Sequence, residues 1–100
     1  MIDVRTTNIF DKWRDKQNKE VRGEITDAID EVKQGNTSHC KYERGGISEI
    51  KIHFGQGIRL YYIKESEILY RLVWGGTDKK RQTADIEKAI TIRKFIKGEK

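Results

Sequence analysis

At 100 residues the chain has the length of one domain with a single core. Its 37 % charged residues against 35 % hydrophobic make that core economical, while the absence of proline and the periodic spacing of apolar residues argue against disorder. The formal net charge of +5 is uneven: residues 1–35 carry seven Lys/Arg and eight Asp/Glu, residues 36–100 fourteen and eight. A basic excess that travels with the later part of the chain favours a polyanion, either nucleic acid or an acidic protein. No apolar run nears the roughly 20 residues that span a bilayer, and the start does not resemble a secretory signal. A single cysteine, Cys40, excludes an internal disulfide and suits a reducing cytosol, so a cytoplasmic protein is expected. His39-Cys40 lacks the further ligands of a zinc site and reads as loop.

In chain order, residues 2–5 alternate as a short strand does, and Thr6 or Thr7 can cap a helix whose inner face is Ile9, Phe10 and Trp13. After the polar break Gln17-Asn18-Lys19, Val21, Ile25, Ala28, Ile29 and Val32 follow the helical period, and Gly35 ends the run. The two helices predict a helical hairpin with one apolar side. The segment from Asn36 to Gly46 reads as a polar loop. Three strands follow, near 47–54, 58–64 and 67–74; the last is apolar at nearly every position and is expected to be covered on both faces. Gly75-Gly76 breaks it. Thr77 or Asp78 then caps a last helix with an apolar stripe of Ile86, Ala89, Ile90, Ile92, Phe95 and Ile96. The expected order is β-α-α-β-β-β-α, an α+β fold with a small antiparallel or mixed sheet and the N-terminal helical hairpin on one face. No internal repeat is visible, and residues 1–100 are expected to form one domain.

Alternation in the first hairpin separates two faces. Ile50, Ile52, Phe54, Ile58, Leu60 and Tyr62 share the core side, and Glu49, Lys51, His53, Arg59 and Tyr61 share the other, a working surface or merely a solvated one. A two-residue turn would oppose core to solvent positions. A three-residue turn, Gly55-Gln56-Gly57, keeps the faces apart, with Phe54 opposite Ile58, His53 opposite Arg59 and Lys51 opposite Tyr61. Lys51, His53, Arg59 and Tyr61 then form one compact patch.

These residues also resemble a known family. The stretch from Gly46 to Tyr62 is similar to its G-x-S-E-L-R-I-x-(aromatic)-G-x-G-(aromatic)-R-V-Y-(aromatic) segment. Gly75-Gly76, Asp78-Lys79, Gln82 and Asp85-Ile86-Glu87-Lys88-Ala89 resemble its G-G-D-K-x-x-Q-x-x-D-I-x-x-A segment. The family is the RelE/ParE superfamily of toxins, in the HigB-like branch of phage-derived addiction-module killer proteins. Three departures stand out: Gln56 where proline is usual, Ile58 where an aromatic is usual, and Thr77 as an extra residue ahead of Asp78-Lys79. The resemblance implies a RelE-like fold and a type II toxin that cuts mRNA on the ribosome without metal or other cofactor. It further implies a cognate antitoxin with a helix-turn-helix, of HigA-like type, and no membrane partner. The superfamily also holds gyrase poisons and inactive members, so a binding-only toxin and an antitoxin-binding remnant remain alternatives.

Metal-free RNA cleavage needs a base for the 2′-hydroxyl, positive charge on the phosphorane and a proton for the leaving oxygen. Arg59 suits the charge role, because its planar fork bonds two phosphate oxygens and stays ionised. His53, opposite a cation, is a candidate neutral base or an ordinary exposed histidine. Lys51 can bind phosphate or serve as base, and Tyr61 can stack on a nucleobase or simply pack across the strands. Glu49, at the patch edge, reads as the partner of a neighbouring cation. Lys79, Lys80 and Arg81 stand at a helix start, where cations oppose the macrodipole, which hints at phosphate binding; Gln82 is placed with them by the motif alone. Arg93, Lys94, Lys97 and Lys100 can reach ribosomal RNA or form a solvated helix face, and Trp13 and Trp74 are most simply core.

Overall fold

The computed structural model describes residues 1–98; Lys100, among the tail cations above, lies outside them. Strand β1 (Asp3–Thr6) leads into helices α1 (Asn8–Asp15) and α2 (Lys19–Lys33). Four strands follow: β2 (Cys40–Arg44), β3 (Ile47–Ile52), β4 (Ile58–Ser66) and β5 (Leu69–Gly76). A single 3-10 turn, Lys79–Arg81, precedes the last helix, α3 (Gln82–Ile96). The five strands lie in the order β1-β5-β4-β3-β2; β1 runs parallel to β5 and the other neighbours are antiparallel.

Local chemistry accounts for the boundaries. Thr7 caps α1 by accepting the Phe10 N–H at 3.1 Å, and Asn18 caps α2 by accepting that of Val21 at 2.9 Å. Gly35 follows α2 with φ +97°, a conformation only glycine adopts without strain. Asp78 accepts the Lys80 N–H at 2.9 Å and so caps the 3-10 turn, not α3, which begins only at Gln82.

Each face of the sheet is covered. On one side Phe10, Ile25, Ile29 and Val32 of the helical hairpin pack on Ile50, Ile52, Ile58, Leu60, Tyr62 and Leu72. On the other, Ile86, Ala89 and Ile92 of α3 pack on Ile47, Tyr61, Ile63 and Val73. β5 is covered on both faces, as its composition predicts: Leu72 and Val73 are both fully buried, in opposite layers. Its register slips at Val73, since Tyr61 pairs with Trp74 but Tyr62 with Leu72. The bulge puts Val73 and Trp74 on the α3 side together.

Three expectations need correction. The segment read as a loop contains β2, an edge strand paired with β3, so the order is β-α-α-β-β-β-β-α. Its polar side chains hid it, because an edge strand packs few of them. The face carrying Arg59 and Tyr61 is not open to solvent, because α3 lies across much of it. The apolar stripe of α3 outruns the sheet, leaving Phe95 79 % and Ile96 37 % exposed.

Candidate functional site

The site forms where the β3–β4 hairpin meets the 3-10 turn and the start of α3. Ile52 pairs with Ile58, Lys51 with Arg59 and Glu49 with Tyr61, so the hairpin connection is the five residues His53–Gly57. Gly55 and Gly57 turn the chain with φ of +59° and +95°. The predicted register, His53 opposite Arg59 and Lys51 opposite Tyr61, is therefore two residues out. A slip of two preserves every face, so alternation cannot tell a three-residue loop from a five-residue one. The longer loop leaves His53 beyond the strand, its ring 5.5 Å from that of His39 and edge-on to it.

Arg59 is 4 % exposed, and its Nε stands 3.8 Å from Glu49 Oε1, too far for a hydrogen bond. Glu49 is 3 % exposed and accepts a hydrogen bond from Gln82 Nε2 at 3.0 Å. Burial, then the neighbouring carboxylate of Glu43, push Glu49 above the usual carboxylate range, while Gln82 and Arg59 pull the other way. Two adjoining hollows, of about 410 and 360 Å³, share Lys51, Arg59 and Lys79. The first is closed by Glu49 and Gln82, the second by His53 and the Phe54–Gly57 loop. A Cβ on Gly57 would come within 3.3 Å of Arg59 Nη1, so the glycine also leaves room beside the guanidinium.

The cleft thus unites Lys51, Arg59 and Lys79, with Gln82 bonded to Glu49 behind them and His53 at the rim. Tyr61 is not available for stacking: it is fully buried under α3, its hydroxyl has no hydrogen-bond partner among the described residues, and burial foremost raises its pKa. Arg81 faces a different hollow, beside Trp13, Trp74 and Asp85, and exposed Lys80 lines neither cationic hollow. Among the tail cations Lys97 is engaged with Glu65 at 2.5 Å. The residues that reading the sequence missed are Lys41 and Glu43, hidden in the strand taken for a loop. The period-two run Lys41, Glu43 against Cys40, Tyr42 was the available signal.

Three cations on two strands and a turn, one of them a buried guanidinium, can bind a phosphodiester and stabilise added charge on it. The desolvated surroundings of Arg59 strengthen that attraction relative to water.

An uncharacterized protein of Haemophilus influenzae is 36 % identical over 89 residues, covering 88 % of this chain and 89 % of its own length. The chain belongs to that protein's family. No family model matches the sequence. In the crystal structure of the intact E. coli RelBE toxin–antitoxin complex, one chain superposes with a TM-score of 0.61 at 16 % identity, covering 79 % of this chain and 99 % of that one. The fold is RelE-like, a five-stranded mixed sheet with a helical hairpin on one face and the C-terminal helix on the other. No helix among the described residues is long and apolar enough to cross a membrane.

Proposed function

We propose that the chain is the toxin of a type II toxin–antitoxin pair of the HigB-like branch, a metal-independent endoribonuclease that cuts mRNA on the ribosome in the cytoplasm. The observation that carries this reading is the convergence of Lys51, Arg59 and Lys79 on one cleft of a RelE-like fold. In the reaction the ribose 2′-hydroxyl loses its proton and its oxygen attacks the adjacent phosphorus. The bond from phosphorus to the 5′-oxygen breaks, and that oxygen takes up a proton. The products are a 2′,3′-cyclic phosphate and a 5′-hydroxyl end.

Arg59 and Lys79 hold the phosphate oxygens as charge builds, and Lys51, paired with Arg59 across the hairpin, transfers a proton or makes a third contact. His53, at the rim of the cleft, donates the proton to the leaving oxygen. Lys80 and Arg81, next to Lys79 in the chain but outside its hollows, bind phosphates further along the RNA. Tyr61 acts from beneath, supporting the strand that presents Arg59. A cognate antitoxin of HigA-like type, with a helix-turn-helix, covers the basic surface and silences it; a partner of this kind accords with the RelBE complex whose fold the chain shares.

Primer extension on an mRNA translated in vitro, with and without ribosomes, tests the reading. New 5′ ends within codons, dependent on ribosomes, are expected, and Arg59→Ala should reduce them about 10²–10³-fold. Intact mRNA in the presence of a sample that still arrests growth would remove the nuclease reading.

A further inference from the structure

The cations of the cleft leave the carboxylate end of the same seam without a role. There the β2–β3 pairing is irregular: Tyr42 pairs with Ser48 and Arg44 with Ile47, so Glu43 is an extra residue in an edge strand. The bulge turns Glu43 and Arg44 to the same side. Arg44 meets Glu87 of α3. Glu43, two residues along β2 from the Lys41 that pairs with Glu49, lies on the Glu49 side of the sheet, where its carboxylate helps raise the Glu49 pKa. The Glu43 side chain is 16 % exposed, and its Oε2 is buried with no hydrogen-bond partner among the described residues; the Lys41 ammonium stands 3.6 Å off.

Two further orphans lie alongside. The Tyr61 hydroxyl, fully buried, has no partner and is exposed to the charges of Glu49, Asp85 and Glu43. The Arg59 Nε has no hydrogen-bond acceptor either. A native core rarely leaves such groups unsatisfied unless something else occupies the gap. Two carboxylates side by side in a low-dielectric site resist joint ionisation, and one proton between them removes the repulsion. It also turns the bare Glu43 oxygen into one end of an O–H···O bond.

We propose that Glu43 and Glu49 hold one proton between them, and that this proton sets whether Arg59 is engaged inward by Glu49 or offered to a phosphate in the cleft. The inference concerns regulation of the proposed nuclease site and rests on that reading for its biological phosphate. With the pair fully ionised, Glu49 claims part of the guanidinium charge. When the pair takes up its proton from solvent, the inward claim weakens and the cleft becomes more attractive to an anion. Glu43 is a positioning residue here, acting through Glu49 and touching no substrate.

Other charges face the pair. Lys41 approaches it from β2, Arg59 and Tyr61 from β4, and Gln82 from α3, while Asp85 of α3 acts on Tyr61. Lys51, Lys79 and His39 line the hollow that Glu49 closes.

The test follows the Glu side-chain carboxyl carbons by NMR in the full chain, labelled with carbon-13, from about pH 4 to 9. Sulfate, a tetrahedral dianion that does not titrate in this range, serves as the anion probe. In the wild type the Glu49 midpoint should lie above the ordinary carboxylate range, and Glu43→Gln should lower it. Sulfate affinity should fall several-fold as pH rises through that midpoint, and this fall should be smaller in Glu43→Gln. A Glu49 midpoint in the ordinary range overturns the proposal, as does one that Glu43→Gln leaves in place or an equal sulfate profile in both proteins. If Glu43→Gln fails to fold, Glu43→Asp, which withdraws the carboxyl by one methylene, takes its place in the same comparison. Uncut mRNA beside a raised, Glu43-dependent midpoint would discard the nuclease and keep the shared proton; cleavage beside an ordinary midpoint would do the reverse.

Discussion

The two faces of the sheet are built to different standards. Beneath the helical hairpin, Ile50, Ile52, Ile58 and Leu60 meet Phe10, Ile25, Ile29 and Val32 in an aliphatic layer, and the stacked pair Tyr62–Tyr70 extends it at 4.6 Å. Beneath α3, Ile47, Ile63, Val73, Ile86 and Ala89 pack as tightly, but Glu49, Arg59 and the Tyr61 hydroxyl are buried beside them. Groups that cost stability concentrate on the face that carries the cleft. A polar seam of this kind suits the proposed site, whereas the hairpin layer holds the strands.

The sharpest way to break the comparison is to damage the dry face. Leu60→Ala removes a fully buried side chain and should cost about 2–5 kcal/mol in urea unfolding. An equal loss from an α3-face polar substitution would erase the distinction. Gly75→Ala comes next: a Cβ there would stand 2.3 Å from the Trp13 ring, and overpacking should cost about 1–3 kcal/mol with a change in tryptophan emission. Tyr61→Phe should be smaller and of the opposite tendency. Deleting a hydroxyl that has no partner should leave stability within about 1 kcal/mol of the parent or raise it.

The mildest effect separates two carboxylates by sign. Glu65, hydrogen-bonded to Lys97 and close to Arg71, is held below the ordinary carboxylate value. Its contribution is present above that value and is lost as pH falls through the depressed one. Glu49 is raised, so its contribution is complete below the ordinary value and declines as pH rises through the raised one. Unfolding free energies of Glu65→Gln and Glu49→Gln, measured against pH, should therefore differ from the parent on opposite flanks of the carboxylate range.

Much of the architecture was legible because alternation and helical period report which residues are inside. Ile50, Ile52, Ile58 and Leu60 sort to the hairpin side from sequence alone, and Thr7 and Asn18 have the capping chemistry the helices need. The hairpin register was not legible, because loops of three and five residues obey the same parity. β2 was hidden by the lack of a buried face of its own, Cys40 and Glu43 being only partly covered. Of the proposed site, Arg59, Lys51 and Lys79 were singled out by residue type and motif, and the structure brings these three side chains to one cleft. Arg59 and Tyr61 were expected in the open because strand parity says which face a residue takes, not what will later be laid over it. Alternation puts Glu43 on the Lys41 face once β2 is known to be a strand, but the bulge that brings Arg44 to the same side leaves no local mark.

Gly75 and Gly76 leave a gap in the side-chain cover of β5 that both helical layers use. The Trp13 ring of α1 enters at Gly75, and the Asp85 carboxylate of α3 enters at Gly76, where a Cβ would stand 2.3 Å from its oxygen. Trp74 joins them: it donates Nε1–H to Asp85 at 3.2 Å, lies 6.4 Å from the Trp13 ring and carries Lys88 over its face at 4.1 Å. Both tryptophans of the chain therefore sit at the seam between the layers. The molecule carries its own optical gauge, whose emission reads the seating of α3 without a label.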